Sequence, residues 1–255
     1  MSKKRLDTIL DIIKKQGYVT VKYLCDELHY STATINRDLN TLQKQKLIVR
    51  HYGGAEPAKR VGAKLVFRYQ KMRPVKNLLA KEAAKIIKDG MTIFIDSSTT
   101  THYIGRFITN IKDLTVITNN LNLASFLSEY GVSCICLGGK ITEPPHMTGG
   151  FEAIEQARTY NADLFFFSTC GFRADGKIYS GGFFLGNAMK ENSKKSVYLV
   201  DHNKIDIEGP RMWGDLSSVD CIITDYKFSD DVKDKFKDTE FIEVDTPVTQ
   251  KIDAF

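Results

Sequence analysis

Two short runs of polar residues carry the chemistry in this chain. The first is Ser31-Thr32-Ala33-Thr34-Ile35-Asn36-Arg37. Arginine can donate twice to guanine, asparagine can pair with adenine, and threonine or alanine methyls can meet the thymine methyl. Ser31 or Thr32 also suits a helix cap, where a side-chain oxygen accepts a free backbone N–H. An ordinary capped surface helix would begin the same way. The second run is Asp96-Ser97-Ser98-Thr99-Thr100-Thr101. Consecutive hydroxyls and the backbone N–H groups of a helix start can cradle a phosphate. The plainer reading is again a cap that follows a strand.

Other polar groups recur where apolar runs end. Thr118-Asn119-Asn120 closes the run 114–118, and Gly138-Gly139-Lys140 follows 134–137. Gly171 comes after 164–168, and Asp201-His202-Asn203-Lys204 after 197–200. Glycines let a backbone approach a ligand, while Asn, Asp and Lys supply donors, acceptors and charge. Each end alone is plain turn chemistry. Together they suggest a ligand site, because parallel sheets bind ligands at the carboxyl ends of their strands.

The elements that must position these residues follow from hydrophobic period. Leu6, Ile9, Leu10 and Ile13 predict a helix over 3–16, stopped by Gly17. Thr20 can cap a second helix over 21–28, with Val21, Leu24 and Leu28 facing inward. After a His29-Tyr30 turn, a third helix reaches about Gln45 with Ile35, Leu39 and Leu42 on one face. The run Leu47-Ile48-Val49-Arg50-His51, ending in Gly53-Gly54, reads as a wing strand. Three helices with a tight turn between the last two make a helix-turn-helix. The expected DNA-facing set is Ser31, Thr32, Ala33, Thr34, Asn36, Arg37, Arg50 and His51.

Residues 1–57 are therefore expected to form a small winged helix-turn-helix domain, and 58–75 a connector holding Gly62 and Pro74. Residues 76–255 alternate helical and strand-like segments. The helices are expected at about 75–88, 100–108, 121–129, 149–159 and 183–194. The strands are expected at 92–95, 114–118, 134–137, 164–168, 197–200 and 221–224. This order predicts an α/β domain with a mostly parallel sheet covered on both faces.

Charge is divided unevenly between the two parts. Residues 1–60 hold twelve Lys and Arg against six Asp and Glu, a net of +6, and the rest of the chain carries −1. A basic excess confined to the first quarter suits a polyanion such as double-stranded DNA, or a solvated lysine-rich surface. The five cysteines include no C-x-x-C pair, so neither a disulfide framework nor a zinc site is expected. No metal or cofactor is expected either. Cys134 and Cys136 alternate on one strand face and are read as reduced core thiols. Asp7 and Asp11 interrupt any apolar leader, and no apolar run reaches the about 18 residues of a membrane span. A cytoplasmic protein is expected.

Residues 31–42, followed by Ile48-Val49-Arg50-His51-Tyr52-Gly53-Gly54-Ala55, resemble the reader of the DeoR family of bacterial sugar-linked regulators. Segment 76–225 resembles that family's effector domain through Ile93-Phe94-Ile95-Asp96-Ser97, Thr99-Thr100-Thr101, 114–119, Leu137-Gly138-Gly139 and Asp201-His202-Asn203-Lys204. That domain is similar in fold to ribose-5-phosphate isomerase and glucosamine-6-phosphate deaminase. The resemblance implies a repressor, a dimer or tetramer, whose effector is a phosphorylated sugar. It implies that Ser97, Ser98, Thr99, Thr100, Thr101 and Lys204 hold the phosphate. Asp96, Asn119, Gly138, Gly139 and Gly171 would line the pocket. The sequence departs from the family where Asn36 replaces one of two arginines, and Lys46 and Ser98 each replace a glycine. Ser168-Thr169-Cys170-Gly171 replaces Gly-Ala-Asp-Gly, and Gly182 and Gly186 stand for Glu and Lys. An isomerase or deaminase carrying a DNA module is the alternative. It needs a placed acid or base, and Cys170 in the expected Asp position argues against it, so no catalytic residue is assigned.

Overall fold

The computed structural model describes residues 2–16, 18–45, 47–51, 53–58, 65–141, 146–181 and 184–245. Gly17, Lys46, Tyr52, Gly62 and Gly182, on which parts of the sequence reading rest, lie outside them. The described residues form two compact units that divide between Arg73 and Pro74.

The first unit runs α1 (Ser2–Gln16), β1 (Val19–Thr20), α2 (Val21–Leu28), α3 (Thr32–Lys44), β2 (Ile48–His51), β3 (Gly54–Pro57) and α4 (Leu65–Gln70). Its three leading helices share one core of Ile9, Ile13, Leu24, Ile35, Leu39 and Leu42. These are the residues that the helical period selects. Thr20 caps α2, its Oγ1 accepting from the Tyr23 N–H at 3.0 Å. His29 ends that helix in the left-handed region at φ 55°. Ser31, rather than Thr32, caps α3 by accepting from the Thr34 N–H at 3.3 Å. β2 and β3 pair as an antiparallel wing, and β3 also pairs with β1. Asp38, which faces inward, is gripped by Arg5 through Nε at 2.5 Å and Nη2 at 3.0 Å. That bidentate pair fastens α1 to α3 and keeps the carboxylate off the exposed face.

The second unit starts with α5 (Arg73–Ala84), whose first residue stands at the division. Next come β4 (Thr92–Ile95), a 3₁₀ helix (Thr101–Phe107), β5 (Thr115–Thr118), α6 (Leu121–Glu129) and β6 (Ser133–Cys136). A small hairpin, β7 (Lys140–Ile141) and β8 (Thr148–Gly149), leads to α7 (Phe151–Arg158) and β9 (Ala162–Phe167). The chain continues through β10 (Gly171–Phe172), β11 (Lys177–Ser180), α8 (Phe184–Glu191) and β12 (Ser193–Val200). It closes with β13 (Arg211–Asp215), β14 (Cys221–Thr224), α9 (Asp230–Lys235) and β15 (Glu240–Glu243).

Seven strands form one sheet in the order β15-β14-β12-β9-β4-β5-β6. Every pair in it is parallel. Phe165, Phe166 and Phe167 are all fully buried although they alternate in direction, so both faces are covered. From β4 the chain moves outward to β5 and β6; from β9 it moves the other way. Neighbouring strands whose connections diverge leave a crevice at their carboxyl ends. Here that crevice lies between β4 and β9.

Several boundaries differ from the sequence expectation. α5 stops at Ala84, four residues short of 88, and Lys85, Ile86 and Ile87 follow in tight turns that bond back three residues. The helix expected at 100–108 is 3₁₀ and spans Thr101–Phe107. α7 and α8 are shorter than the expected 149–159 and 183–194. β12 begins at Ser193, because Ser193 and Lys195 pair with Ala162 and Leu164. β15 and the antiparallel sheet β10-β11-β13 have no counterpart in the expectation. The core-thiol reading is corrected: Cys136 is exposed and only Cys221 is buried, since β6 is an edge strand.

Gly171 owes its identity to packing. A Cβ there would stand 1.8 Å from the Ile207 carbonyl oxygen, which is backbone and cannot turn aside. Gly171→Ala should therefore lower unfolding stability by about 1–3 kcal/mol or more, the usual cost of overpacking. Chemical denaturation measures it. Gly181→Ala, with nothing within 4 Å of its Cβ, is the matched control and should be near neutral.

Candidate functional site

Asp96 leaves the end of β4 and is buried. Its Oδ2 accepts from the Ser168 N–H at 3.0 Å, across the crevice at the end of β9. Its Oδ1 accepts from the Ser98 N–H at 3.1 Å and from Thr101 Oγ1 at 2.5 Å. Burial raises the carboxyl above its ordinary range, and these donors oppose the rise. Asp96 thus folds the loop 97–101 and fastens it to the neighbouring strand. Ser98 Oγ accepts from the Thr101 N–H at 3.1 Å and starts the 3₁₀ helix.

Two lysines reach the same loop. Lys204, in a 3₁₀ turn (His202–Lys204) after β12, donates to Ser168 Oγ at 2.7 Å and to Thr100 Oγ1 at 3.4 Å. Lys76 comes from α5, is buried, and donates to Thr99 Oγ1 at 2.9 Å. Thr99, Thr100 and Thr101 are all buried. The arrangement places two ammonium groups and a row of hydroxyls at one crevice. That is donor chemistry, and it suits an anion.

The remaining expected residues are held by the segment ahead of β8. Ser97 Oγ lies 2.9 Å from Met147 Sδ, and Asn119 Nδ2 donates to the Thr148 carbonyl at 2.8 Å. Thr148 Oγ1 donates to the Leu137 carbonyl at 2.5 Å. The Gly138 N–H donates to Gln156 Oε1 at 2.7 Å. Gly139 sits at φ +120°, where a Cβ would meet the Gly149 carbonyl oxygen at 2.6 Å. Residues 146–149 therefore strap the ends of β4, β5 and β6 together. Gly171 stands apart from this network, packed on Ile207. An open cleft of about 390 Å³ lies at the opposite end of the sheet, lined by Thr92, Asp163, Asn192 and Lys194. Its Asp163 is taken by Lys194 at 2.7 Å and the Thr92 N–H at 3.0 Å, which lower its pKa.

In the first unit, Ser31, Thr32, Ala33 and Arg37 are exposed on the leading turns of α3. The wing arginine Arg50 donates to Asn36 Oδ1 and to Asn40 Oδ1, each at 2.5 Å. It therefore orients the Asn36 amide from below. His51 is directed within the wing, its Nε2 at 2.7 Å from Glu56 Oε1.

A family model described as the DeoR-like helix-turn-helix domain matches residues 5–61. Another, the DeoR C terminal sensor domain, matches residues 72–226. The chain belongs to the DeoR family of transcriptional regulators. Among its relatives is the "Glycerol-3-phosphate regulon repressor" of Escherichia coli, 30% identical over 227 residues, covering 87% of this chain and 90% of the relative. The "HTH-type transcriptional repressor GlcR" of Bacillus subtilis is 31% identical over 228 residues, covering 87% and 88%. A solved ribose 5-phosphate isomerase from Plasmodium falciparum is 17% identical over 52% of this chain and 53% of its own, with a TM-score of 0.39. That likeness is too loose to argue from.

Within the DeoR frame the departures have structural consequences. Ser98 Oγ accepts from the N–H of Thr101, the first residue of the 3₁₀ helix. Cys170, in place of aspartate, donates its thiol to the Tyr179 carbonyl at 3.1 Å and faces Gly209, where a Cβ would lie 2.4 Å from Sγ. Gly186 is buried in α8.

Sequence reasoning missed Lys76, His102 and His146 beside the loop. Lys76 looks like any lysine of an amphipathic helix, and the two histidines sit in segments without a period. His102 is pushed down to about 4 by burial, then by the charges of Arg106, His146 and Lys76. A histidine held below its unfolded value near 6.5 favours the folded state only while neutral. Stability should thus be full above pH 6.5 and decline as pH falls toward about 4, by on the order of 3 kcal/mol. His102→Gln should flatten that decline in denaturation measured from pH 7 to pH 4, and an unchanged slope would contradict the assignment.

Proposed function

We propose that this DeoR-family protein represses sugar-metabolism genes, and that a phosphorylated sugar bound at the crevice alters its affinity for operator DNA. The observation that carries the reading is the set of Thr99, Thr100, Lys76 and Lys204 donors at the carboxyl ends of β4, β9 and β12. Hydroxyls and ammonium groups aimed at one crevice suit a phosphate monoester better than a neutral sugar. A relative named as a glycerol-3-phosphate regulon repressor fits a phosphate ester as the ligand. The sugar hydroxyls would face Asn119 and the Gly138-Gly139 backbone.

The reader is residues 1–57, joined by 58–75 to the sensor 76–255. Ser31, Thr32, Ala33, Thr34, Asn36 and Arg37 enter the major groove, with Arg50 and His51 in the flanking wing. The protein acts in the cytoplasm as a dimer or tetramer, matching half-sites about one helical turn apart or multiples of it. It is a binding protein and not an enzyme. Asp96, the buried carboxylate at the end of β4, spends both oxygens on structural donors. The ligand must bind two conformations unequally to shift them. α5 offers the route, since it carries Lys76 and begins at the division between the units.

Arg37→Ala should cost about 1–3 kcal/mol of specific operator binding, the usual value of one good base contact. Fluorescence anisotropy with operator and scrambled duplexes measures it, and equal losses on both would remove Arg37 from the reading role. A thermal-shift screen of sugar phosphates should give at least one stabilising ligand. A screen without one, in protein that binds its operator, would contradict the sensing half of the proposal.

A further inference from the structure

Two phenylalanines project from neighbouring places on the sensor unit. Phe151 opens α7 and Phe184 opens α8. α7 leads into β9 and α8 into β12, and those strands are parallel neighbours. The helices pack against each other on one face of the sheet. Ala153 and Ala157 from α7 enter the same core as Ala188 and Met189 from α8. The helices therefore run side by side in one direction, and both begin at the carboxyl edge of the sheet. In each, the second residue after the phenylalanine is buried, Ala153 in α7 and Gly186 in α8. The two rings thus hold equivalent places. Phe151 is 71% exposed and Phe184 64%, more than any other large apolar side chain among the described residues. Exposing adjacent rings opposes the hydrophobic effect, and patches of this kind mark contact surfaces.

The charged side chains next to the rings differ in sign. Glu152 follows Phe151 and is exposed. The Arg211 guanidinium lies 5.6 Å from the centre of the Phe184 ring. Neither Glu152 nor Arg211 makes an ion pair among the described residues.

We propose that this surface binds a second copy of the chain about a two-fold axis passing between the rings. A half-turn about that axis lays the α7 end of one protomer on the α8 end of its partner. Phe151 then packs on the partner's Phe184, and Glu152 meets the partner's Arg211, each contact occurring twice. A patch with opposite charges at its two ends complements itself when reversed, so a second copy fits it without further groups. An apolar centre with a charged rim is also the usual anatomy of such a contact. This rests on the reading of the protein as a dimer or tetramer and adds the surface and the residues that make the contact.

Sedimentation equilibrium of the full chain without DNA reads the association. Wild type should form a dimer, or a tetramer that contains it. Phe151→Asp and Phe184→Asp should each weaken association about thirtyfold or more, the loss typical of a central aromatic anchor. A tetramer should then fall to a smaller assembly. Tyr130→Asp, at an exposed ring just past α6, is the control and should associate like wild type. Arg211→Glu and Glu152→Arg should each weaken association by about tenfold or more, because like charges then face each other. An equimolar mixture of those two variants should regain it as a heterodimer, since opposite charges meet again at both contacts. Native mass spectrometry identifies the heterodimer, and thermal melts confirm that every variant folds. Undiminished association in both phenylalanine variants, or no recovery in the mixture, overturns this surface and leaves the oligomer reading standing. A wild type that stays monomeric at concentrations that saturate its operator overturns both.

Discussion

One buried carboxylate organises the sensor unit. Asp96 spans the crevice between β4 and β9, accepting from Ser168 on one side and from Ser98 and Thr101 on the other. A buried carboxylate is tolerable only when its oxygens are satisfied. The requirement fixes the loop 97–101 against β9. With the loop fixed, Thr99 and Thr100 meet Lys76 and Lys204. Without that bridge the hydroxyl row would be an ordinary flexible turn. The parallel sheet matters because it sets adjacent strand ends side by side.

The reader depends on a parallel device of smaller scale. Arg5 and Asp38 lock α1 to α3, so the exposed face of α3 keeps a fixed angle to its core. Arg50 then joins the wing to the helix through Asn36 and Asn40. Burial lowers the Arg50 pKa, yet an arginine stays charged, so its positive charge remains beside the helix. In both units a charged group within the fold positions the polar surface beside it.

Much of this was legible in the sequence. Helical period located the reader's core, because Ile35, Leu39 and Leu42 have to face inward for three helices to close. The six apolar strand runs were legible because strands covered on both faces are almost wholly hydrophobic. The polar strand ends were legible as turn chemistry, and those after β4, β9 and β12 meet at one edge of the sheet. What stayed hidden depends on contacts distant in sequence. Lys76 meets Thr99 across 23 positions and Arg50 meets Asn36 across 14, and neither pairing leaves a local pattern. β10 has only two residues, and β11 and β13 each open on a charged residue, so no apolar run marks them. Gly171 was read as room for a ligand, but its missing side chain makes room for the Ile207 backbone.

A phosphosugar-responsive repressor requires the crevice and the operator-binding face to be thermodynamically linked. Linkage is reciprocal: a ligand that shifts DNA affinity must have its own affinity shifted by the same factor. The direct measurement is calorimetric titration of the sugar phosphate found by screening, into free protein and into protein saturated with operator duplex. The two affinities should differ by about 5- to 150-fold, the range of one to three kcal/mol of coupling. Equal affinities in the two titrations would contradict it.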